Sequence, residues 1–265
     1  MAMADFDVAA IAYDEEFTKA SIGIAQRQQV WTYVNELLSQ RAGELPLRVL
    51  ELNCGTGEDA GVFASKGCQV VATDVSKKML EVAQIKNHNS SIDFEVLDLN
   101  EIQNFQSEPF DLIFSNFGGL NCISPEAIEN LGVEIPRLLN TKGHFIAVVM
   151  PSFCLWESLY YLAKLSLFTA FRRRKKYVMA NVSGQQVKTY YYSPHVFDRL
   201  INQGRRFFRE RLKPIGLSVP PSYLESYFQK HPKMLRNLSD VDNRMAKYGW
   251  QAFVSDHYLI QYVLK

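Results

Sequence analysis

The sequence predicts a doubly wound α/β fold, a mostly parallel sheet with helices on both faces. Three observations carry this. Short apolar strands alternate with helical segments from Leu47 onward. A glycine turn follows the first strand. Acidic residues mark three successive strand ends.

The elements follow in order. Arg48 to Cys54 is a short apolar strand running into the glycine turn. Glu58 to Ser65 reads as a helix that stops at Gly67, and Gln69 to Asp74 as the second strand. Ser76 caps a helix over Lys77 to Lys86 by accepting from its free amides. Ile92 to Asp98 alternates as a strand, and Phe110 to Ser115 is nearly all apolar, as a central parallel strand is. Ser124-Pro125 supplies an N-cap and a first-turn proline. That helix runs to about Leu139, bent at Pro136. Gly143 ends the following turn, and His144 to Met150 is the fifth strand. After Pro151 two helical stretches flank a strand-like tyrosine run, Tyr190 to Tyr192, and Ser193-Pro194 opens the second. Phe207 to Val219 reads as a sixth strand, Ser222 to about Lys247 as helical, and Asp256 to Leu264 as the last strand.

The chain has 265 residues, 47% apolar and 22% charged, which excludes disordered, collagen-like and coiled-coil classes. Cys54, Cys68, Cys122 and Cys154 form no C-x-x-C pair, so neither a disulfide framework nor a metal site is expected. The first residues are acidic and lack a basic-then-apolar leader, which makes the cytoplasm the expected location. Net charge is +1, yet Arg172 to Lys213 holds 12 basic residues against Asp198 and Glu210. That stretch reads either as a solvated basic face or as a patch for anionic substrate or lipid headgroups. Just before it, the apolar run Phe153 to Phe171 is interrupted by Glu157 and Lys164. Those two share a helical face, which suits an amphipathic helix over a hydrophobic pocket, with peripheral membrane contact through 153–176 as a second reading.

Ligands of such sheets bind beyond the carboxyl ends of the strands. Glu51, Asn53, Gly55 and Gly57 lie there after the first strand, Asp74 and Val75 after the second, Asp98 and Leu99 after the third, Ser115 and Asn116 after the fourth. Each suits a nucleoside ligand. Gly55 and Gly57 allow close backbone approach. Asp74 can accept from vicinal ribose hydroxyls, Val75 and Met79 can sandwich an adenine, and Asp98 can accept from an exocyclic amine. Gly55, Gly57 and Ala60 also satisfy a relaxed dinucleotide fingerprint, so an NAD(P)-dependent oxidoreductase is an alternative. Two features oppose it. A carboxylate at Glu51 calls for a cation rather than a pyrophosphate, and Glu58 and Asp59 oppose a phosphate at the helix start.

Val49-Leu-Glu-Leu-Asn-Cys-Gly-Thr-Gly57 resembles the first motif of class I S-adenosylmethionine-dependent methyltransferases of the small-molecule type. Asp74, Asp98 and Phe110 to Asn116 are similar to the later motifs, and the resemblance covers Asp5 to about Met150. Phe6-Asp7 and Tyr13-Asp14 are similar to the segment that folds over the cofactor, with Tyr13 against its methionine part. Asn53 departs from the pattern, standing where the family usually has its first glycine. The resemblance implies a seven-stranded Rossmann-like sheet, an antiparallel last strand and helical cap insertions. It implies S-adenosyl-L-methionine as donor and S-adenosyl-L-homocysteine as product, through in-line transfer that relies on alignment rather than a covalent intermediate. Residues 1–46 would form a helical lid, 47–150 the cofactor core, 151–206 a cap on the substrate side, and 207–265 the last strands with a helical insertion.

The acceptor side falls to the N-terminal segment, Phe117 to Cys122 and the helices after Pro151. His195, His257, Tyr191 and Tyr192 are base candidates and none is assigned, so the catalytic residues stay open. The proline-rich motif of amino-methylating DNA enzymes is absent after Ser115-Asn116, which disfavours nucleic acid. Phe153, Trp156, Tyr160, Tyr161 and Phe168 favour a small hydrophobic acceptor, or an anionic one given the basic stretch. A cofactor-binding protein without transfer activity is the third alternative.

Overall fold

The computed structural model describes residues 7, 10, 13–44, 46–182, 184–246 and 248–265. Asp5, Phe6 and Lys247, named above, lie outside them. After a π-helical turn at Asp14–Thr18 come α1 (Ser21–Gln40), β1 (Arg48–Leu52), α2 (Glu58–Ser65), β2 (Gln69–Asp74), α3 (Lys77–Lys86) and β3 (Ile92–Val96). Next are β4 (Phe110–Ser115), α4 (Pro125–Leu138), β5 (Leu139–Val149), α5 (Leu155–Ala163), α6 (Leu167–Ala170), β6 (Val178–Val182) and β7 (Gln185–Thr189). The chain closes with α7 (Pro194–Ile201), β8 (Phe207–Ile215), α8 (Glu225–Phe228), α9 (Pro232–Met245) and β9 (His257–Leu264).

Seven strands form one sheet in the order β3-β2-β1-β4-β5-β9-β8. Neighbours from β3 to β5 pair parallel, while β9 runs antiparallel between β5 and β8. This is the Rossmann-like arrangement with a reversed last strand. Leu52 stands level with Thr73 on one side and Ser115 on the other. The chain therefore leaves β1, β2 and β4 at one height, and their next residues share one crevice.

Alternation along the strands divides the core into two layers. Leu50, Leu52 and Ile113 face one side, where α4 adds Ile128, Leu131 and Ile135. Val49, Leu112 and Phe114 face the other, where α1 adds Val30, Trp31, Val34 and Leu37. Each such side chain contributes about 1.5–3 kcal/mol on full burial, so the strand ends rest on a rigid platform. No helix among the described residues is long and apolar enough to cross a membrane.

Several sequence expectations need correction. The run from Phe153 to Phe171 is not one helix, because the chain turns at Lys164-Leu165-Ser166, with Leu165 at φ 57°. Glu157 and Lys164 do not share a polar face, since Glu157 is buried and Lys164 exposed. A hairpin, β6–β7, stands where only helix and a tyrosine run were expected, and Tyr190 to Tyr192 lie just past it. β3 stops at Val96, so Asp98 is two residues beyond the strand and caps a 3-10 turn. Gly143 lies within β5 rather than before it, whereas α4 ends at Leu138 with Pro136 inside it, close to the expected end at Leu139. The expected helix from Ser222 is broken before Pro232, whose missing N–H suits a first turn. β8 ends at Ile215 rather than Val219.

Candidate functional site

The crevice is built from the turn after β1. Asn53 takes φ 56°, a left-handed conformation that asparagine tolerates better than most side chains. The chain thus turns where a glycine would ordinarily stand. The side chain has consequences across the crevice, because a Cβ added to Gly119 would lie 2.4 Å from the Asn53 Cβ. Gly119 is what lets Asn53 fit. Gly57 has a different role, since a Cβ there would lie 2.9 Å from both Ala83 Cβ and Asn87 Nδ2. It packs α2 onto α3, whereas Gly55 lies beneath the ring of Tyr13.

Asp74 closes β2. Its two oxygens accept from the backbone amides of Gly55, at 3.0 Å, and Ser76, at 2.9 Å. Burial raises its carboxyl above the ordinary value although these amides oppose the rise. Ser76 caps α3 by accepting from the Met79 amide and donates to the Asp7 carboxylate. Met79 is buried against Ala10, with Tyr13 packed beside them, while Val75 is exposed. Asp98 accepts from the Asn100 amide and side chain through Oδ1, and Leu99 is buried beside it.

Glu51 is buried, and burial followed by the nearby Asp59 charge pushes its carboxyl well above the usual range. Arg27 acts on Glu51 from nearby but donates to Asp59 instead. Oε2 of Glu51, Oδ1 of Asn53 and Oγ of Ser115 are buried without a hydrogen-bond partner among the described residues. Unsatisfied buried polar atoms of this kind are uncommon, and these three sit on neighbouring strand ends.

Sequence reasoning missed the hub of the site. Asp59 does not stand unpaired against a ligand. It accepts from Arg27, from Trp31 Nε1 at 2.7 Å and from Asn116 Nδ2 at 2.9 Å. Glu58 is likewise paired, 2.9 Å from Lys86. The repulsion expected of these two acids at the helix start is therefore largely neutralised. The Arg27 guanidinium also lies 5.3 Å from the centre of the Phe117 ring. No local signal joins α1 to α2, because the partners are about thirty residues apart in sequence.

The segment before α1 fastens onto the turn. Asp14 accepts from Thr56 and from Lys86 Nζ, the latter at 2.7 Å. Burial works against the charge of Asp14, yet these partners hold its carboxyl below the usual value. Burial pushes the Tyr13 hydroxyl up to about 12, with Arg27 opposing.

Beyond the crevice lies a second polar cluster. Arg173 is buried and donates to Glu157, at 3.1 Å, and to Asp256 Oδ1, at 2.7 Å. Burial opposes the charge of Asp256, but His257 and Arg173 beside it hold its carboxyl well below the usual range. His257 sits edge-on to Phe117 at 5.3 Å. Among the four base candidates it lies next to the crevice. Tyr192 instead donates to the Ile123 carbonyl within the core, and His195 packs on Phe253 at the start of α7. Tyr191 lies beneath the Arg173 guanidinium. Asn121, also buried, ties Met150 to Tyr190 by donating to both carbonyls and accepting from the Met150 amide.

The family profile described as "Methyltransferase domain" matches residues 49–143, which hold the glycine turn, Asp74, Asp98 and Asn116. Residues 49–143 are thus similar in sequence to methyltransferase domains. The domain is similar to a demethylmenaquinone methyltransferase of Clavibacter sepedonicus, 33% identical over 142 residues, 53% of this chain and 54% of that protein. It is also similar to a malonyl-[acyl-carrier protein] O-methyltransferase of Enterobacter lignolyticus, 31% identical over 99 residues, 36% of each chain. The match spans about half the length of the first relative and less of the second. The fold is that of magnesium protoporphyrin IX methyltransferase from Synechocystis PCC 6803, solved with bound SAH. That structure aligns at a TM-score of 0.57 and 18% identity over 94% of this chain and 88% of that one.

Proposed function

We propose that the chain transfers a methyl group from S-adenosylmethionine to a small hydrophobic or anionic acceptor. The observation that carries this is the set of unpartnered buried oxygens on Glu51, Asn53 and Ser115 around the glycine turn. They fit a donor that brings an ammonium group and hydrogen-bond donors. When bound, that donor supplies an electrophilic methyl group on a sulfonium.

The residues divide the work of holding it. Glu51 takes the ammonium, which would relieve the cost of burying its carboxylate. Gly55 leaves the backbone bare, and Asp74, whose oxygens accept from the Gly55 and Ser76 amides, has further lone pairs to offer ribose hydroxyls. Val75 and Met79 flank the adenine, Asp98 and Leu99 bound its edge, and Ser115 and Asn116 close the floor. Tyr13 and Asp14 cover the methionine end and exclude water. Catalysis then rests on holding the acceptor in line, worth up to about 7–11 kcal/mol in favourable cases.

For the acceptor, three features support a hydrophobic ring with polar substituents. Tyr160, Tyr161 and Tyr223 form an edge-on and tilted cluster with Arg172 over Tyr161, and the Tyr160 and Tyr223 centroids are 4.7 Å apart. The Tyr223 hydroxyl is buried without a described partner. Relatives bear the name demethylmenaquinone methyltransferase.

The test is thermal shift with S-adenosylmethionine, S-adenosylhomocysteine and NAD, followed by turnover on an acceptor panel. Stabilisation by the first two and not by NAD is expected, with Asp74→Asn weakening both about tenfold. Stabilisation by NAD alone would overturn the reading. Binding without turnover on any acceptor would leave a cofactor-binding protein.

A further inference from the structure

The polar and apolar faces of α5 and α6 are inverted. Glu157, the acid of this stretch, points inward and is held by Arg172 and Arg173. The apolar side chains point outward instead. Leu155, Leu159, Leu165, Leu167, Phe168 and Phe171 are 42, 54, 90, 62, 91 and 41% exposed. Single exposed leucines are ordinary, but six within seventeen residues form a patch.

The backbone adds a second observation. Leu165 joins α5 to α6 at φ 57°, a conformation unfavourable for a bulky side chain, and it is almost fully exposed. Nothing in the described fold covers the side chain that this turn presents. Leu165 and Phe168 therefore form the tip of a projecting knob.

Charge identifies what the knob meets. Past Phe171 and the paired Arg172 and Arg173 come Arg174, Lys175 and Lys176, all exposed, and none forms an ion pair with a described residue. No acidic residue occurs between Glu157 and Asp198. Glu126 of α4 acts on Lys176 from nearby, and the apolar tip backed by the other cations is complementary to a bilayer surface carrying anionic lipid. The apolar side chains would enter the headgroup boundary while the lysines stay among phosphates.

We propose that the α5–α6 knob docks the protein peripherally on anionic membranes, through Leu165, Leu167 and Phe168 as the inserted tip and Lys175 and Lys176 as the headgroup contacts. The proposal is independent of which acceptor is methylated. It stands on the exposed face alone.

The test uses the full chain and sedimentation with vesicles of phosphatidylcholine, alone or with roughly a third phosphatidylglycerol. Binding should be about tenfold stronger to the anionic vesicles and should fall as salt rises. Leu167→Ser with Phe168→Ser should reduce it about tenfold, and Lys175→Glu with Lys176→Glu should remove the preference for anionic lipid. Unchanged melting temperature and S-adenosylhomocysteine binding in both variants would show that the fold and cofactor site persist. Equal partition to both vesicle types, or binding indifferent to both variants, would overturn the proposal. So would a Phe168-dependent dimer that binds no vesicles, because the patch would then be an interface between copies of the chain.

Discussion

Asp14 and Lys86 meet at 2.7 Å across the mouth of the crevice, joining the turn before α1 to the last turn of α3. Asp14 is half-buried and Lys86 is exposed, and Thr56 of the glycine turn donates to the same carboxylate. This contact fastens the covering segment over the place assigned to the methionine end of the donor.

Asp14→Asn should therefore loosen the cover. A partly buried, hydrogen-bonded ion pair is worth on the order of 1 kcal/mol, so S-adenosylhomocysteine affinity should fall about fivefold by calorimetry. Lys86→Met should lose a similar factor, and the double variant should lose less than the sum. The carboxyl of Asp14 is held below its ordinary 3.8, so its contribution is complete above that value and is lost as pH falls through the lower, folded value. The cover should stay closed throughout the neutral range.

Glu51 gives the opposite sign. Burial raises its carboxyl well above 4.5, which favours the protonated form until a cation arrives. Binding of the ammonium-bearing donor should then release a proton. Calorimetry in buffers of different ionisation enthalpy should show this release at mildly acidic pH and little of it at alkaline pH. Glu51→Gln should abolish the release. An unchanged release would mean that the ammonium lies elsewhere.

Gly119→Ala should destabilise the fold, because its new Cβ would lie within 2.5 Å of the Asn53 Cβ and Cγ. A cost of about 1–3 kcal/mol is expected in denaturant unfolding. Asn53→Gly, which removes those atoms, should recover most of it. Additive costs in the double variant would mean that the strain arises elsewhere.

Arg173→Met should be the most damaging of these changes. It leaves Glu157 without one of its two partners and Asp256 without its arginine, both buried. Breaking a buried pair from one side costs about 3–5 kcal/mol. Asp256 titrates below its ordinary 3.8 in the fold, so this network contributes fully above that value and is lost as pH falls further. The difference between wild type and variant should shrink in strong acid.

The core of the site was legible because its signals are local. β2, α2, α3 and β4 have the predicted bounds, the strands announced by apolar runs, α3 by its cap Ser76 and α2 by the glycines at its two ends. Asn53 was seen as a departure, and its left-handed backbone explains how the turn survives it. What sequence could not disclose was pairing at a distance. Asp59 read as a helix-dipole acid until Arg27, Trp31 and Asn116 closed around it. Glu157 read as one end of a polar face, because its partners Arg172 and Arg173 lie fifteen and sixteen residues on. The β6–β7 hairpin was masked by composition. Asn181, Gln185, Gln186 and Lys188 dilute its alternation, and the strands form a separate small sheet rather than joining the main one.

The place of β9 in the sheet dictates an order of events during synthesis. β9 lies between β5 and β8, and no strand emerging before it bridges those two. A growing polypeptide can assemble β1 to β5 and still leave two open edges waiting, one on β5 and one on β8. Until residues 257–264 leave the ribosome, those edges are unpaired templates for other chains. Chaperone demand should therefore peak in the interval between the emergence of β5 and that of β9.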